Sequence, residues 1–325
     1  MRPDLGWLAV VVLALGMLGS APTRADDLLL SVSPGGAGAP RTPDPFLRTV
    51  DSADGSTMGA VAITLGGEVV TGATGLARHP ETGTLFALLK VEGSSFRRLV
   101  TLDESTGVAS EVGDTGHRFA AIAFASDGTL YGVTGDGGGV PESLFNLSTV
   151  DASSTLLLEL GAGSDGEALA FNPDDGLLYH ASGIGTPNHP NGERFETIDP
   201  DTLDVTNVPL SGFDYEELTA LTFSVGGFFA ADLGSAAVDM PRFFRITTDG
   251  AVTLLGNMDH VSKGLVPGRA PVFSVPALPN PMMGALLVAL MLLGGVWILE
   301  RDVRGFRAGR YRRGASLSAY RRSRV

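Results

Sequence analysis

The chain repeats one pattern five times, and this repeat restricts the possible folds more than any other feature. Each copy has a short apolar strand, a turn rich in Asn, Asp, Gly or Pro, and a second apolar strand, as in residues 167–183. The copies align on positions that lie 46, 47, 52 and 44 residues apart, namely Leu76, Ile122, Leu169, Leu221 and Leu265. Repeats of about 40–50 residues with several strands each are typical of β-propellers. The sequence therefore predicts an all-β propeller.

Half-repeats at the two ends of the pattern predict how the ring closes. Residues 46–65 match the second half of the later repeats, whereas residues 263–275 contain only a first half. If the N-terminal hairpin supplies the outer strands of the blade whose inner strands come from the C-terminal copy, hydrogen bonds between the two ends close the ring and leave no open sheet edge. This arrangement has five blades, one of them composite. Four blades with a separate hairpin is the alternative, because Pro267 and Pro271 lack the N–H that a ladder needs.

The segments around the predicted propeller, residues 46–275, carry targeting signals. Residues 1–25 have a basic start, an apolar run and small residues at the end, which is the pattern of a secretory signal peptide. An uncleaved N-terminal anchor is the alternative. Residues 26–45 are rich in Pro and Gly and are predicted to be a linker, and residues 276–281 are predicted to be a second, Pro-rich linker.

A hydrophobic segment follows the second linker. Residues 282–299 contain no charge, and the tail of residues 300–325 is rich in arginine. A helix of that length spans about 27 Å, close to the hydrocarbon core of a bilayer at about 30 Å. The sequence thus predicts a transmembrane helix, with the basic tail in the cytoplasm and the propeller on the other side of the membrane. A buried core helix is the alternative.

A short motif before the hydrophobic segment resembles a known sorting signal. Val275, Pro276, Ala277 and Leu278, followed by one hydrophobic helix and then arginines, resemble the bacterial PEP-CTERM and IPTL-CTERM signals, with Val for Ile and Ala for Thr. The resemblance covers residues 275–313. It implies that an exosortase-type membrane protease processes the protein and that the product reaches the cell surface or the extracellular space. A plain membrane anchor explains the same residues.

The predicted propeller is acidic. Residues 26–275 carry 12 Lys or Arg against 33 Asp or Glu, a formal charge of −21, while the whole chain has a net charge of −13. Such a surface repels phosphate backbones, so we expect no nucleic-acid partner. The chain has no cysteine, which excludes a thiol nucleophile and a zinc–cysteine site. The Asp-rich residues 172–176 and 199–204 lack the ligand spacing of a calcium loop and are predicted to be turns.

One repeat position suggests a metal site. The residues five places before the alignment positions are Thr71, His117, Ser164, Glu216 and His260. Because the loops that lead into the innermost strands of a propeller open on one mouth of its channel, these positions form a ring. His117, Glu216 and His260 in one ring would hold a divalent metal such as zinc. The alternative is that they are ordinary polar loop residues that face water or cap turns.

Two functions follow from these features. The first is a non-enzymatic binding or structural propeller of a bacterial envelope, with an extracellular polysaccharide or protein as its ligand. The second is a metal-dependent hydrolase or lactonase with its chemistry at the channel mouth, which rests on analogy among propellers. The sequence contains no Gly-x-Ser-x-Gly elbow, His-Glu-x-x-His or phosphate-binding loop. The residues two places before the alignment positions predict a polar channel lining, with Thr74, Glu167, Thr219 and Lys263.

Overall fold

The computed structural model describes residues 28–35, 43–135, 140, 142–161, 167–182, 194–212, 217–234 and 240–268. Their regular secondary structure consists of β-strands. In chain order these are β1 (Leu28–Val32), β2 (Phe46–Asp51), β3 (Thr57–Ala62), β4 (Thr64–Leu65), β5 (Val70–Arg78), β6 (Leu85–Val91), β7 (Arg98–Leu102), β8 (Val108–Asp114), β9 (Phe119–Phe124), β10 (Leu130–Thr134), β11 (Ser143–Leu147), β12 (Ser154–Glu159), β13 (Ala168–Asn172), β14 (Leu177–Ser182), β15 (Arg194–Ile198), β16 (Val205–Asn207), β17 (Leu218–Ser224), β18 (Gly227–Asp232), β19 (Arg242–Ile246), β20 (Val252–Asn257) and β21 (Gly264–Pro267).

The strands form five sheets arranged as the blades of a propeller. From the channel outwards, blade 1 is β21-β1-β2-β3, blade 2 is β5-β6-β7-β8, blade 3 is β9-β10-β11-β12, blade 4 is β13-β14-β15-β16 and blade 5 is β17-β18-β19-β20. The innermost strands contact one another in the cyclic order β5, β9, β13, β17, β21 and back to β5. The short strand β4 pairs in parallel with β8 and so joins blade 1 to blade 2. The predicted five-bladed, all-β propeller is confirmed.

Strands from both ends of the domain build blade 1. Strand β1 lies between β21 and β2, so that Leu30 pairs with Val266 on one side and with Thr49 on the other. The hairpin of β2 and β3 forms the outer half of the blade, as the half-repeats predict. Hydrogen bonds between the two ends therefore close the ring. Pro267 is tolerated because it is the last residue of its strand.

The prediction of a linker over residues 26–45 is wrong for its first part. Strand β1 is the second strand of blade 1, and Leu29, Ser31 and Val32 are almost completely buried. The linker prediction rested on the Pro and Gly content of residues 31–45. The propeller thus begins at Leu28 rather than at residue 46. The N-terminal end contributes three strands to blade 1, and the C-terminal end contributes β21.

The innermost strands are rich in small residues and are buried on both faces. All six residues of β9 are buried, and alanine recurs at its centre and in β13 and β17. Blades converge towards the channel, so small side chains are needed where the space between neighbouring sheets is narrowest. The outermost strands β3 and β16 are mainly exposed. The hydrophobic core therefore lies between adjacent blades and around the channel axis.

The two Asp-rich stretches are turns, as predicted. Between β13 and β14, the Asn172 side chain accepts a hydrogen bond from the Asp174 N–H at 2.9 Å, and the Asp175 carboxylate accepts one from the Leu177 N–H at 3.0 Å. The Asp199 carboxylate likewise accepts hydrogen bonds from the backbone N–H groups of Asp201 and Thr202. The carboxylates of these turns thus cap their own backbone.

The predicted signal peptide, the sorting motif, the hydrophobic segment and the basic tail all lie outside the described residues. Within the part of the chain that the structure describes, no helix has the length and apolar character needed to cross a membrane.

Candidate functional site

A ring of aliphatic side chains closes the central channel. It consists of the five alignment positions of the repeat, Leu76, Ile122, Leu169, Leu221 and Leu265, each at most 4 % exposed. Beside this ring, the described residues enclose a cavity of about 10 Å³, too small to hold more than about one water molecule. The channel is therefore not a continuous pore. It is divided into two separate recesses, one at each mouth.

The polar mouth lies where the innermost strands begin. Its recess has a volume of about 480 Å³ and takes residues from all five blades. Its lining consists of Pro34, Thr74, Lys90, Ser94, Ser95, Arg97, Arg118, Ala120, Gly135, Glu167, Leu233, Val261 and Lys263. The predicted polar lining is confirmed at Thr74, Glu167 and Lys263. Thr219 lies outside this lining, and its hydroxyl donates to the Ser262 carbonyl at 2.7 Å.

Neutral acceptors hold three of the cations in the polar mouth. The Lys90 Nζ donates to the Pro34 carbonyl at 2.5 Å, and the Arg97 Nε donates to the Thr74 hydroxyl at 3.2 Å. The Arg118 Nε donates to the Ser95 carbonyl at 3.1 Å. These three bonds help to orient the side chains.

One ion pair crosses the polar mouth. Lys263 comes just before the innermost strand of blade 1, and Glu167 comes just before that of blade 4. The Lys263 Nζ lies 3.9 Å from the Glu167 Oε2. Glu167 is buried against Gly135, where a Cβ atom would lie 2.7 Å from its carboxylate oxygen. A side chain at residue 135 would therefore displace the carboxylate. The absence of a Cβ there gives Glu167 room beside the mouth.

The apolar mouth lies at the other end of the channel, where the innermost strands finish. Its recess has a volume of about 380 Å³. Phe124, Phe171 and Phe223 line it from three blades, together with Pro267 from β21. The Arg78 guanidinium on its wall forms an ion pair with Glu104 at 2.5 Å. The two recesses thus differ in character, since the described lining of one is mainly polar and that of the other mainly apolar and aromatic.

His260 belongs to a buried network that joins the two ends of the domain. Asp259 accepts a hydrogen bond from the His260 Nδ1–H at 2.8 Å, so the His260 Nε2 accepts from the Ser31 hydroxyl at 2.7 Å. The Ser31 Oγ lies 2.9 Å from the Ser262 Oγ. Burial lowers the pKa of His260, although the bond to Asp259 acts in the opposite direction. We call Ser31, His260 and Ser262 the closure network, because it joins β1 to the segment before β21.

Asp259, His260 and Ser31 have the bonding order of a serine hydrolase triad but not its accessibility. In a triad the serine oxygen faces the substrate and the carboxylate is buried. Here Ser31 is completely buried within β1, whereas the Asp259 side chain is 62 % exposed. No substrate atom reaches the Ser31 oxygen in this arrangement. The network therefore stabilises the closed ring.

The predicted metal ring is only partly within the described residues. Glu216 lies outside them. The two histidines have their own partners: His260 is held in the closure network, and the His117 ring packs on Phe119 and Phe145, with centroids 5.9 and 4.8 Å away. Among the described residues, no group of three or more His, Asp or Glu side chains is arranged to hold a metal ion. The site of His117, Glu216 and His260 stays a prediction.

Sequence reasoning missed three of the four cations of the polar mouth. Arg97 and Arg118 precede strands β7 and β9, and Lys90 lies near the end of β6. They do not share one repeat position, so alignment of the repeats does not bring them together. The available signal was topological, because the starts of β7 and β9 and the end of β6 all lie on the same side of the propeller.

Comparisons with known proteins show similarity only to solved structures. No family model matches the chain, and no curated protein matches it. TolB from Acinetobacter baumannii is similar over 77% of this chain and 57% of that chain, with 14% identity and a TM-score of 0.48. The PQQ-bound aldose sugar dehydrogenase from Streptomyces coelicolor is similar over 65% of this chain and 75% of that chain, with 14% identity and a TM-score of 0.40. The chain thus spans little more than half of the TolB structure, and identities this low concern the fold alone.

Proposed function

We propose that this chain is an exported, non-enzymatic binding protein of the cell envelope that takes its ligand at the polar mouth. The observation that carries the proposal is the closed channel. Because the aliphatic ring closes the channel, the polar mouth is a blind recess of about 480 Å³. Ligand pockets in proteins have volumes of about 300–1,000 Å³. A recess that is built by all five blades of a closed ring is also largely pre-formed, which lowers the entropic cost of binding.

The positions of the chain ends support the role in the envelope. The Gly268 N–H donates to the Leu28 carbonyl at 2.9 Å, so both ends of the described domain meet on the side of the apolar mouth. A tether at either end begins on that side. With residues 282–299 as a membrane anchor, or as part of a PEP-CTERM-like sorting signal, the domain lies outside the cytoplasm, where an extracellular polysaccharide or protein can reach it.

Blocking the polar mouth tests the proposed function. The full-length chain in detergent is applied to an array of polysaccharides and envelope proteins, with Ser95→Trp as the blocking variant because Ser95 lines the mouth and is exposed. Ser110→Trp on the outer strand β8 is the matched control, since Ser110 is also exposed. We expect binding that is lost in Ser95→Trp and kept in Ser110→Trp. Failure of any ligand to bind, or equal binding by both variants, would refute the proposal.

The membrane topology and the processing are tested separately. A reporter enzyme that is active only outside the cytoplasm is inserted at residue 39 in one fusion and attached after Val325 in another. We expect activity from the first fusion only. Cleavage by an exosortase-type protease predicts that the mature protein in the envelope has lost the basic tail, whereas a plain anchor predicts that the tail is retained. A tail that external protease can digest in intact cells would contradict the orientation.

A further inference from the structure

The apolar mouth is a second recess, separate from the site of the proposed function. We propose that it binds a small, uncharged aromatic molecule that carries one hydroxyl or carbonyl oxygen. The aromatic ring packs against Phe124, Phe171 and Phe223, and the oxygen bonds to the Thr222 hydroxyl. The recess has a volume of about 380 Å³, and small-molecule pockets have volumes of about 300–1,000 Å³. The aliphatic ring closes its floor, so this recess is blind as well.

The surroundings of the apolar mouth are short turns. Four turns that lie wholly within the described residues join the first two strands of blades 2, 3, 4 and 5, namely residues 79–84, 125–129, 173–176 and 225–226. Blade 1 contributes the end of β21 and Gly268. Strand ends and tight turns therefore build these walls, and a pre-formed recess lowers the entropic cost of binding.

The wall of the recess is aromatic on three successive blades. Phe124, Phe171 and Phe223 have the same place in the repeat, two residues after the alignment position, and all three line the recess. Phe124 packs edge-on against Phe86, with ring centroids 5.3 Å apart. Phe223 packs in the same way against Phe228, also at 5.3 Å. These contacts orient two of the rings. Because aromatic pairs contribute beyond the area they bury, such a wall favours a flat aromatic ligand over an aliphatic one.

The recess is shallow on the scale of a lipid chain. Its floor lies only two residues before the phenylalanines, which is about 7 Å along a strand at about 3.3 Å per residue. An extended acyl chain would leave most of its length outside in water. A compact molecule of one or two fused rings fits this depth.

The charge of the lining favours an uncharged ligand. Arg78 is the permanently charged side chain of the described lining. Its guanidinium donates to the two carboxylate oxygens of Glu104 at 2.5 and 2.9 Å. It also donates to the carbonyls of Gly83 at 3.1 Å and Pro267 at 3.2 Å. The arginine is thus held by a carboxylate of the protein. A charged ligand would lose its hydration in this apolar recess without such a partner.

One polar side chain of the recess is unusual for its place in the repeat. Thr222 comes directly after its alignment residue, where the other repeats have Ala77, Ala123, Ala170 and Val266, and all five positions line the recess. Thr222 is only 7 % exposed, and its hydroxyl has no hydrogen-bond partner among the described residues. A largely buried hydroxyl without a partner costs free energy that a bond to a ligand oxygen recovers.

Equilibrium dialysis of the full-length protein in detergent tests the inference, with the uptake by protein-free micelles subtracted. Naphthol is compared with naphthalene, which lacks the oxygen, with naphthoate, which is charged, and with octanol, which has a hydroxyl but no ring. We expect naphthol to bind about threefold or more tightly than naphthalene, because it adds one hydrogen bond. Naphthoate and octanol should bind at least about tenfold more weakly than naphthol.

Variants locate the bound naphthol. Ser126→Trp should abolish its binding, because Ser126 lines the recess and is exposed, whereas Ser110→Trp on β8 should not. Phe171→Leu should weaken binding about threefold to tenfold, because leucine keeps the apolar contact and loses the aromatic one. Phe46→Leu is its matched control, since Phe46 is exposed and lies outside the described lining, and should leave the affinity within about twofold.

Thr222→Val provides a test that misfolding cannot imitate. The loss of the hydroxyl should reduce the advantage of naphthol over naphthalene to within about twofold, while naphthalene binds as in the wild type. A poorly folded variant would lose both probes together.

Four results would overturn the inference. They are no naphthol uptake above that of micelles, equal uptake by Ser126→Trp and Ser110→Trp, tighter binding of naphthoate or octanol than of naphthol, and an advantage over naphthalene that persists in Thr222→Val. Ser95→Trp, which blocks the polar mouth, should bind naphthol as the wild type does, and loss of naphthol in this variant would contradict the assignment to the apolar mouth. The proposed function of the polar mouth stands or fails separately.

Discussion

Truncation of His260 should weaken the closed ring, and the structure allows the effect to be estimated. His260→Ala removes two hydrogen bonds, to Ser31 at 2.7 Å and to Asp259 at 2.8 Å. Two such bonds contribute about 1 kcal/mol each, and the space left by the 6 % exposed ring adds to the loss, so we expect about 2–4 kcal/mol. For a domain of this size that corresponds to a fall in melting temperature of about 5–15 °C.

The assay is differential scanning calorimetry of the full-length protein in detergent, with His117→Ala as the control. His117 is half-buried and stacks on two phenylalanines, so its loss should cost only about 0.5–1.5 kcal/mol. A double-mutant cycle of Ser31→Ala and His260→Ala should give a coupling of about 0.5–3 kcal/mol, because the two side chains are bonded directly. A melting temperature for His260→Ala within about 2 °C of the wild type, or no coupling, would refute the role of the closure network.

The same histidine makes a prediction about pH. Burial lowers the pKa of His260 in the folded state below its usual value of about 6.5, so the folded protein binds fewer protons than the unfolded chain. The stability that neutral His260 contributes is therefore complete above about pH 6.5 and is lost as the pH falls towards the lowered pKa. His260→Gln has a side-chain amide that can form hydrogen bonds but does not titrate. Its melting temperature should therefore depend less on pH between about pH 7.5 and 5. Parallel pH profiles for the two proteins would contradict this assignment.

Three further perturbations test the fold. Gly72→Ala should lower the melting temperature, because the new Cβ would lie 2.6 Å from a backbone carbon of the segment after β1, whereas Gly59→Ala meets nothing within 4 Å and should change it little. Arg242→Met should cost about 3–5 kcal/mol in urea unfolding, since it leaves the buried Asp232 without its ion pair, and Asp232→Asn in the same chain should recover part of that loss. Deletion of residues 46–62 should cause aggregation or early melting in size-exclusion and scanning experiments, because it exposes β1 as an open edge; unchanged behaviour would contradict the closed ring.

The fold was predictable from the sequence because a single periodic signal determines it. The spacing of the alignment positions predicts the blades, and the half-repeats predict the composite blade that residues 46–62 and 264–267 form. Strand β1 was not predictable by the same means. It has no counterpart at its place in the repeat order, and its apolar residues continue directly from a segment with targeting character. Only the register with β2 and β21 shows that this run is a core strand.

The candidate site was predictable only where it follows the repeat. Glu167 and Lys263 share a repeat position, and the structure places both at the polar mouth. Arg97 and Arg118 come from different connections, so their placement in one lining depends on how the blades pack and not on spacing. His260 shows the opposite limit, because the repeat predicts it at a mouth, whereas its burial against Ser31 depends on β1. A residue's chemistry thus depends on neighbours that the repeat does not specify.

The innermost strand also explains why the two mouths differ. Positions two before, at and two after each alignment residue lie on the same face of a strand, because side chains alternate with a period of two. Across the repeats these three positions are mainly polar, aliphatic and aromatic in turn, as in Glu167, Leu169 and Phe171. At about 3.3 Å per residue the polar and aromatic positions are about 13 Å apart along the strand. The aliphatic ring lies between them, so a substitution in one recess should leave the chemistry of the other unchanged as long as that ring remains packed.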